Sequence, residues 1–134
     1  KPHNFHLLMN ANRTADGFNP LCGDMITLHL NVDENGLISD VGFQGTGCAI
    51  SKASASMMTD SIKGKTDTEA ERLSELFRKM ITRAPGEDYV ADGLEDLDML
   101  AGVAKFPIRV KCATLSWHTL LAALNEHQET VKTE

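Results

Sequence analysis

The sequence has no run approaching the roughly 18 apolar residues that a membrane-spanning helix needs. Nothing at its start has the pattern of a secretory signal peptide. Basic residues are the minority: Lys plus Arg number 13 against 19 Asp plus Glu, a formal charge of −6 with histidine neutral. That balance argues against a binder of phosphate backbones, which needs net or clustered positive charge. Neither nucleic acid nor a membrane is expected as a partner. There is no internal repeat, low-complexity tract or interdomain linker. Cysteine is scarce and odd in number, three in all, so a fully paired disulfide framework within one chain is excluded. Free thiols fit a reducing compartment, and a cytoplasmic location is expected.

What is present suits one packed domain over residues 1–134, with 42% hydrophobic and 24% charged residues. Residues 1–20 carry Pro2, Asn4, Asn10, Asn12, Gly17, Asn19 and Pro20, which reads as loop chemistry. Ile26, Leu28, Leu30 and Val32 then alternate with Thr27, His29 and Asn31, the period of a half-buried strand. Asn35-Gly36 is a tight-turn signal, because both residues tolerate positive φ. A second strand near 37–44 is expected to place Leu37, Val41 and Phe43 on one face, closing an antiparallel hairpin.

Helical spacing begins at Cys48. Ile50, Ala53, Met57 and Ser61 mark an expected stripe, and Gly64 is a stop. A second helix is expected from Thr68, with Thr68 and Glu71 at capping-box spacing and Leu73, Leu76, Phe77, Met80 and Ile81 as its apolar face. Residues 83–93 read as a loop, and 94–101 as a short helix carrying Leu94, Leu97 and Leu100. A last helix over roughly 109–127 buries Ala113, Trp117, Leu120, Leu121 and Leu124. Strands first and helices after is an α+β order.

Cys22, Cys48 and Cys112 all fall at element boundaries, where side chains from separate elements can meet. Asp24 lies two residues after Cys22; on extended backbone the two would point to one side. A thiolate at a helix N-terminus is favoured by free N–H groups, which predicts lowered pKa values for Cys48 and Cys112, helped by Arg109 and Lys111. Three sulfurs and one carboxylate make a tetrahedral set suited to zinc, and equally to an iron–sulfur cluster. The intervals match no paired-CxxC zinc finger. Three buried thiols acting as small hydrophobes remain an alternative.

Other signals are weak. Gly45-Thr46-Gly47 lacks the Lys-Ser/Thr of a phosphate loop. Ser116 and His118 have no matching acid for hydrolase chemistry. The acidic stretch 87–98 lacks EF-hand spacing. His29, His118 and His127 fall off the apolar stripes, and His3 and His6 lie near the start. Met57, Met58 and Met80 read as core filling.

Four blocks carry a resemblance: Asn19-Pro20-Leu21-Cys22-Gly23-Asp24, Gly45-Thr46-Gly47-Cys48-Ala49-Ile50-Ser51, Ala53-Ser54-Ala55-Ser56-Met57-Met58 and Arg109-Val110-Lys111-Cys112-Ala113-Thr114-Leu115-Ser116-Trp117. In order and spacing the chain resembles the SufU branch of the IscU/NifU-N-like iron–sulfur cluster assembly family, from about Lys1 to Leu124. The resemblance implies a small antiparallel sheet with helices packed on one face. It implies zinc bound by Cys22, Asp24, Cys48 and Cys112. It implies a partner, a pyridoxal-phosphate cysteine desulfurase of the SufS type, whose persulfide sulfur is accepted by Cys22 and passed to downstream Suf assembly proteins. Members carry one more helix before the segment matching residues 1–4, so part of an N-terminal helix is expected to be missing here.

The rival branch is the non-catalytic IscU scaffold, on which iron–sulfur clusters are built. Scaffolds carry His immediately before the third cysteine, where this chain has Lys111. They also carry a Leu-Pro-Pro-Val-Lys chaperone motif, where this chain reads Lys105-Phe106-Pro107-Ile108-Arg109. The acidic segment 83–100 also looks like the SufU branch and is expected near the partner. Arg109 and Lys111 flank the site as expected docking residues, with a solvated helix start as the plainer alternative. A purely structural zinc protein is a third possibility, and would stimulate no desulfurase.

Overall fold

The structure, a computed structural model, describes residues 2–125 together with the backbone of 131–132. The described elements follow in the order β1 (Arg13–Asn19), β2 (Asp24–Val32), β3 (Ile38–Thr46), α1 (Ala49–Ile62), α2 (Asp67–Ile81), a 3-10 helix over Glu95–Lys105, α3 (Pro107–Leu124) and β4 (Val131–Lys132). The sheet order is β3-β2-β1-β4, antiparallel except for the β1–β4 pair. No described helix is long and apolar enough to cross a membrane.

The hairpin forms where alternation and Asn35-Gly36 predict it. Gly36 takes a φ of +81°. The Asp33 side chain accepts from the N–H groups of Asn35 and Leu37, both at 2.9 Å, and so ties the turn from within. One expectation fails by a residue. The register shifts between Asn31 and Val32, so that Val32 faces Ile38. A bulge moves the inward direction by one step. Ile38, not Leu37, therefore joins Val41 and Phe43 in the core, while half-buried Leu37 bridges to Thr66.

β1 was not expected at all. Its inward positions are Ala15, Gly17 and Asn19, too small and polar to register as an apolar alternation. The cause is α3, which lies against β1 and β2. A Cβ at Gly17 would sit 2.1 Å from Thr119 Oγ1, so only glycine lets strand and helix approach this closely.

α1 also differs from its expected stripe. Its buried face is Ser54, Ala55, Met58, Thr59 and Ile62, roughly one residue round from Ile50, Ala53, Met57 and Ser61. Ser54 is small enough to seat α1 against α3. Its hydroxyl donates to Ala113 O at 2.5 Å and accepts from Trp117 Nε1 at 3.1 Å, so the buried polar atom is satisfied. α2 buries Leu73, Phe77, Met80 and Ile81 as expected, and Phe77 stacks on Trp117 with ring centroids 4.7 Å apart. α3 is buried almost all round from Cys112 to Ala123, because it runs between the sheet and α1, with α2 against it as well. Pro107 opens it two residues earlier than expected; the expected end at 127 lies outside the described residues. The segment after α2 is pinned by buried Leu94 and Leu97, by Tyr89 hydrogen-bonded to Asp98, and by Arg83 lying 4.4 Å over the Tyr89 ring.

The capping box of α2 is Thr66 with Glu69, two residues before the expected pair. Thr66 Oγ1 accepts from Glu69 N at 3.2 Å, and Glu69 Oε1 accepts from Thr66 N at 3.0 Å. Thr68 is exposed beyond the cap. Replacing Thr66 by Ala is expected to lower unfolding free energy by about 1 kcal/mol in urea titrations. Thr68→Ala is expected to change it by less than about 0.5 kcal/mol.

Candidate metal centre

Three elements and one turn meet at the end of the sheet. β2 begins with Asp24 on its inward face, in phase with Ile26 and Leu28, and none of Asp24 is exposed. Cys22 is exposed on the turn that joins β1 to β2. This turn, rather than extended backbone, brings Cys22 to the side of Asp24. Gly23 adopts a φ of +72°, and its N–H donates to Asn19 O at 2.8 Å. Cys112 is fully buried in the second turn of α3. One ligand atom each from Cys22, Asp24 and Cys112 lies within 4.8 Å of the others.

Cys48 stands beside this cluster. It is the N-cap of α1, with its Sγ accepting from Ser51 N at 3.4 Å. Its own N–H donates to Asp24 Oδ1 at 2.9 Å. Its thiol lies close enough to act on Cys112. Gly47 makes the approach possible: a Cβ there would fall 2.5 Å from Asp24 Oδ1.

The sulfurs of Cys22 and Cys112 are 3.4 Å apart, and both cysteines are free thiols. Ligand sulfurs about 2.3 Å from a tetrahedral zinc would be about 3.8 Å apart. The spacing thus fits two ligands of one ion. The donor set fits as well, since sulfur and carboxylate are ligands that a zinc ion takes.

The expected lowering of the Cys112 pKa is overturned. Burial pushes this thiol strongly up, and its hydrogen bond with Cys22 and the nearness of Asp24 and Cys48 push the same way. The helix start does not compensate, because Cys112 sits past the first turn and inside the core. Arg109 reaches the cluster from the exposed first turn of α3. The neighbouring Cys112, and then the charge of Cys48, hold the guanidinium more firmly protonated. Lys111 is half-buried. Among the described residues, no hydrogen bond or ion pair links its ammonium to the cluster.

Sequence reasoning assigned no role to Asn19. It is the last residue of β1 and is wholly buried. Its Nδ2 donates to Asp24 Oδ2 at 3.3 Å and lies 3.6 Å from Cys112 Sγ. An inward-pointing Asn stands out only once β1 is recognised as a strand. Of the histidines, His118 is exposed and His29 is half-buried on the outer sheet face, as expected; His3 pairs with Asp60, and His127 lies outside the described residues.

Residues 1–133 match the model of the NifU-like N terminal domain. This chain belongs to that family. It is 44% identical over 113 residues to the zinc-dependent sulfurtransferase SufU of Bacillus subtilis, covering 84% of this chain and 75% of that protein. It is 42% identical over 124 residues to the iron–sulfur cluster assembly scaffold protein IscU of Streptococcus pyogenes serotype M1, covering 92% of this chain and 76% of that protein. Among solved structures, an assembly scaffold protein for the SUF system from Fervidobacterium islandicum superposes with a TM-score of 0.83. That match has 36% identity and covers 90% of this chain and 86% of the other. The expected α+β fold is thus the NifU-N fold, and both branch names occur among its relatives.

Exposure and protonation together predict an order of reactivity. In the metal-free protein, iodoacetamide is expected to modify Cys22 first and Cys112 last, as read by peptide mass spectrometry. Because its pKa is raised, Cys112 forms thiolate only at high pH, and its rate should still be climbing near about pH 10. Early labelling of Cys112 at neutral pH would contradict this.

Proposed function

We propose that this chain is a zinc-dependent sulfurtransferase of iron–sulfur cluster assembly. It accepts sulfur from a pyridoxal-phosphate cysteine desulfurase of the SufS type and passes it to downstream Suf assembly proteins, in the cytoplasm. The observation that carries this reading is the asymmetry of the cluster. Cys22 is exposed on a turn, whereas Asp24 and Cys112 are buried on the sheet and on α3. One thiol can thus reach a partner while Cys112 and the carboxylate stay in the core.

Cys22, Asp24, Cys48 and Cys112 would hold the zinc, which when bound stabilises the thiolate form of its sulfur ligands. Asp24 is the one oxygen ligand among sulfurs. Cys48 is held at the N-cap of α1, and Cys112 in the buried second turn of α3. The transfer itself belongs to Cys22. Its thiolate attacks the outer sulfur of the desulfurase persulfide, forming a new S–S bond as the donor's S–S bond breaks. The donor cysteine leaves as thiolate with the electron pair, so no external oxidant or reductant is consumed. Exposed Leu21 beside Cys22, and exposed Phe106 and Ile108 at the start of α3, give a partner apolar contacts around the reacting sulfur. Arg109 adds a cation at the same place.

A second reading, an IscU-type scaffold on which clusters are built, is favoured by the 42% identity to a protein of that name. Lys111 in place of His, and Phe106-Pro107-Ile108 in place of the chaperone motif, favour the transferase. The readings separate on isolation. A colourless protein with about one zinc per chain supports transfer; a reconstituted cluster passed intact to an acceptor supports the scaffold.

Cys22→Ala is expected to take up no sulfur from the persulfidated desulfurase in non-reducing mass spectrometry. Uptake at the wild-type rate would remove Cys22 from its role. Arg109→Ala is expected to raise the concentration needed for half-maximal desulfurase stimulation by about tenfold, the size of a partner contact worth about 1.4 kcal/mol. An unchanged titration would make Arg109 a solvated surface charge.

A further inference from the structure

We propose that Asn19 is a positioning residue of this centre: its buried amide holds Asp24 and Cys112 in ligating orientation and leaves Cys22 free to move. The proposal rests on the metal-centre reading above and extends it to a residue that is not itself a ligand.

The two ends of the amide face different tasks. The oxygen, Oδ1, accepts from Leu21 N at 3.2 Å and shapes the turn that carries Cys22. The nitrogen, Nδ2, faces the cluster. It donates to Asp24 Oδ2 at 3.3 Å and lies at 3.6 Å from Cys112 Sγ, within reach of an N–H···S bond. An amide nitrogen carries two protons, so both contacts can be made at once. With Cys48 N on Asp24 Oδ1 at 2.9 Å, each oxygen of the carboxylate has one donor. The carboxylate is therefore fixed before any ion arrives and keeps its place when a ligand leaves. Among the described hydrogen bonds, none runs from the Asn19 side chain to Cys22.

The chemistry follows from the donor. An N–H bond to a thiolate withdraws electron density from sulfur, which lowers its basicity and tunes the metal it binds. Burial of the whole amide excludes water that would compete for these bonds. A residue that served the turn alone would need only its acceptor, as an Asp or Ser does.

The test compares wild type with Asn19→Ala and with Asn19→Ser, whose hydroxyl retains an acceptor for the turn. Zinc affinity is read by competition with a chromophoric chelator, and sulfur–metal bonding by the thiolate-to-cobalt charge-transfer band of cobalt-loaded protein. Folding of the metal-free proteins is followed by circular dichroism. Both variants are expected to bind zinc at least about tenfold more weakly, with the cobalt band moved to longer wavelength. Zinc affinity and band position equal to wild type would overturn the proposal. So would weakened binding with an unmoved band, or collapse of both metal-free variants, either of which assigns Asn19 to the fold alone. A wild type that binds neither metal would instead overturn the metal-centre reading beneath it.

Discussion

A carboxylate sealed from solvent sets the terms for this end of the molecule. Asp24 is fully buried at the first inward position of β2, and a buried anion is costly unless donors or a cation meet it. Its donors come from either side, Cys48 N–H at the cap of α1 and the Asn19 amide at the end of β1. The first of these bonds ties the sheet to the first helix, and the second ties the end of β1 to the start of β2. They also explain Gly47, since any side chain there would collide with the carboxylate. The requirement to satisfy one acid thus dictates the glycine turn, the helix cap and the buried amide around it.

The cysteines then divide by the stiffness of what carries them. Cys112 rides on α3, which is packed between the sheet and the helices α1 and α2 and so cannot shift without disturbing the core. Cys48 is held at a helix cap. Cys22 sits on a turn at the surface, so its side chain can swing out with few contacts to break. Stiffness and exposure thus run in opposite directions across the cluster. A reacting thiol needs exposure, and a retained ligand needs stiffness; the fold supplies both within 4.8 Å. Gly17, by letting β1 lie against α3, brings the strand that carries Asn19 down to the helix that carries Cys112.

Much of this was legible in the sequence, for identifiable reasons. The β2–β3 hairpin was readable because alternating apolar residues flank Asn35-Gly36. The α2 face was readable because its buried residues are large and apolar. β1 was not, because α3 lies so close that its inward residues are Ala, Gly and Asn. The α1 face was misjudged because buried Ser54 and Thr59 look like surface residues until a partner helix satisfies them. Within the centre, the convergence of Cys22, Asp24 and Cys112 was anticipated from the motif blocks and their places at element boundaries. The protonation of Cys112 was not, since depth in the core outweighs a helix start that lies a turn and a half away. Asn19 was visible as a letter in a motif but not as an inward-facing donor, because that depends on a strand the alternation did not reveal.

X-ray absorption at the zinc edge tests most directly whether distant thiols and one acid enclose a single ion. For protein reconstituted with about one zinc per chain, the expected first shell is three sulfurs at about 2.3 Å and one oxygen at about 2.0–2.2 Å. A shell dominated by nitrogen and oxygen, or one with fewer than three sulfurs, would contradict the four-ligand centre.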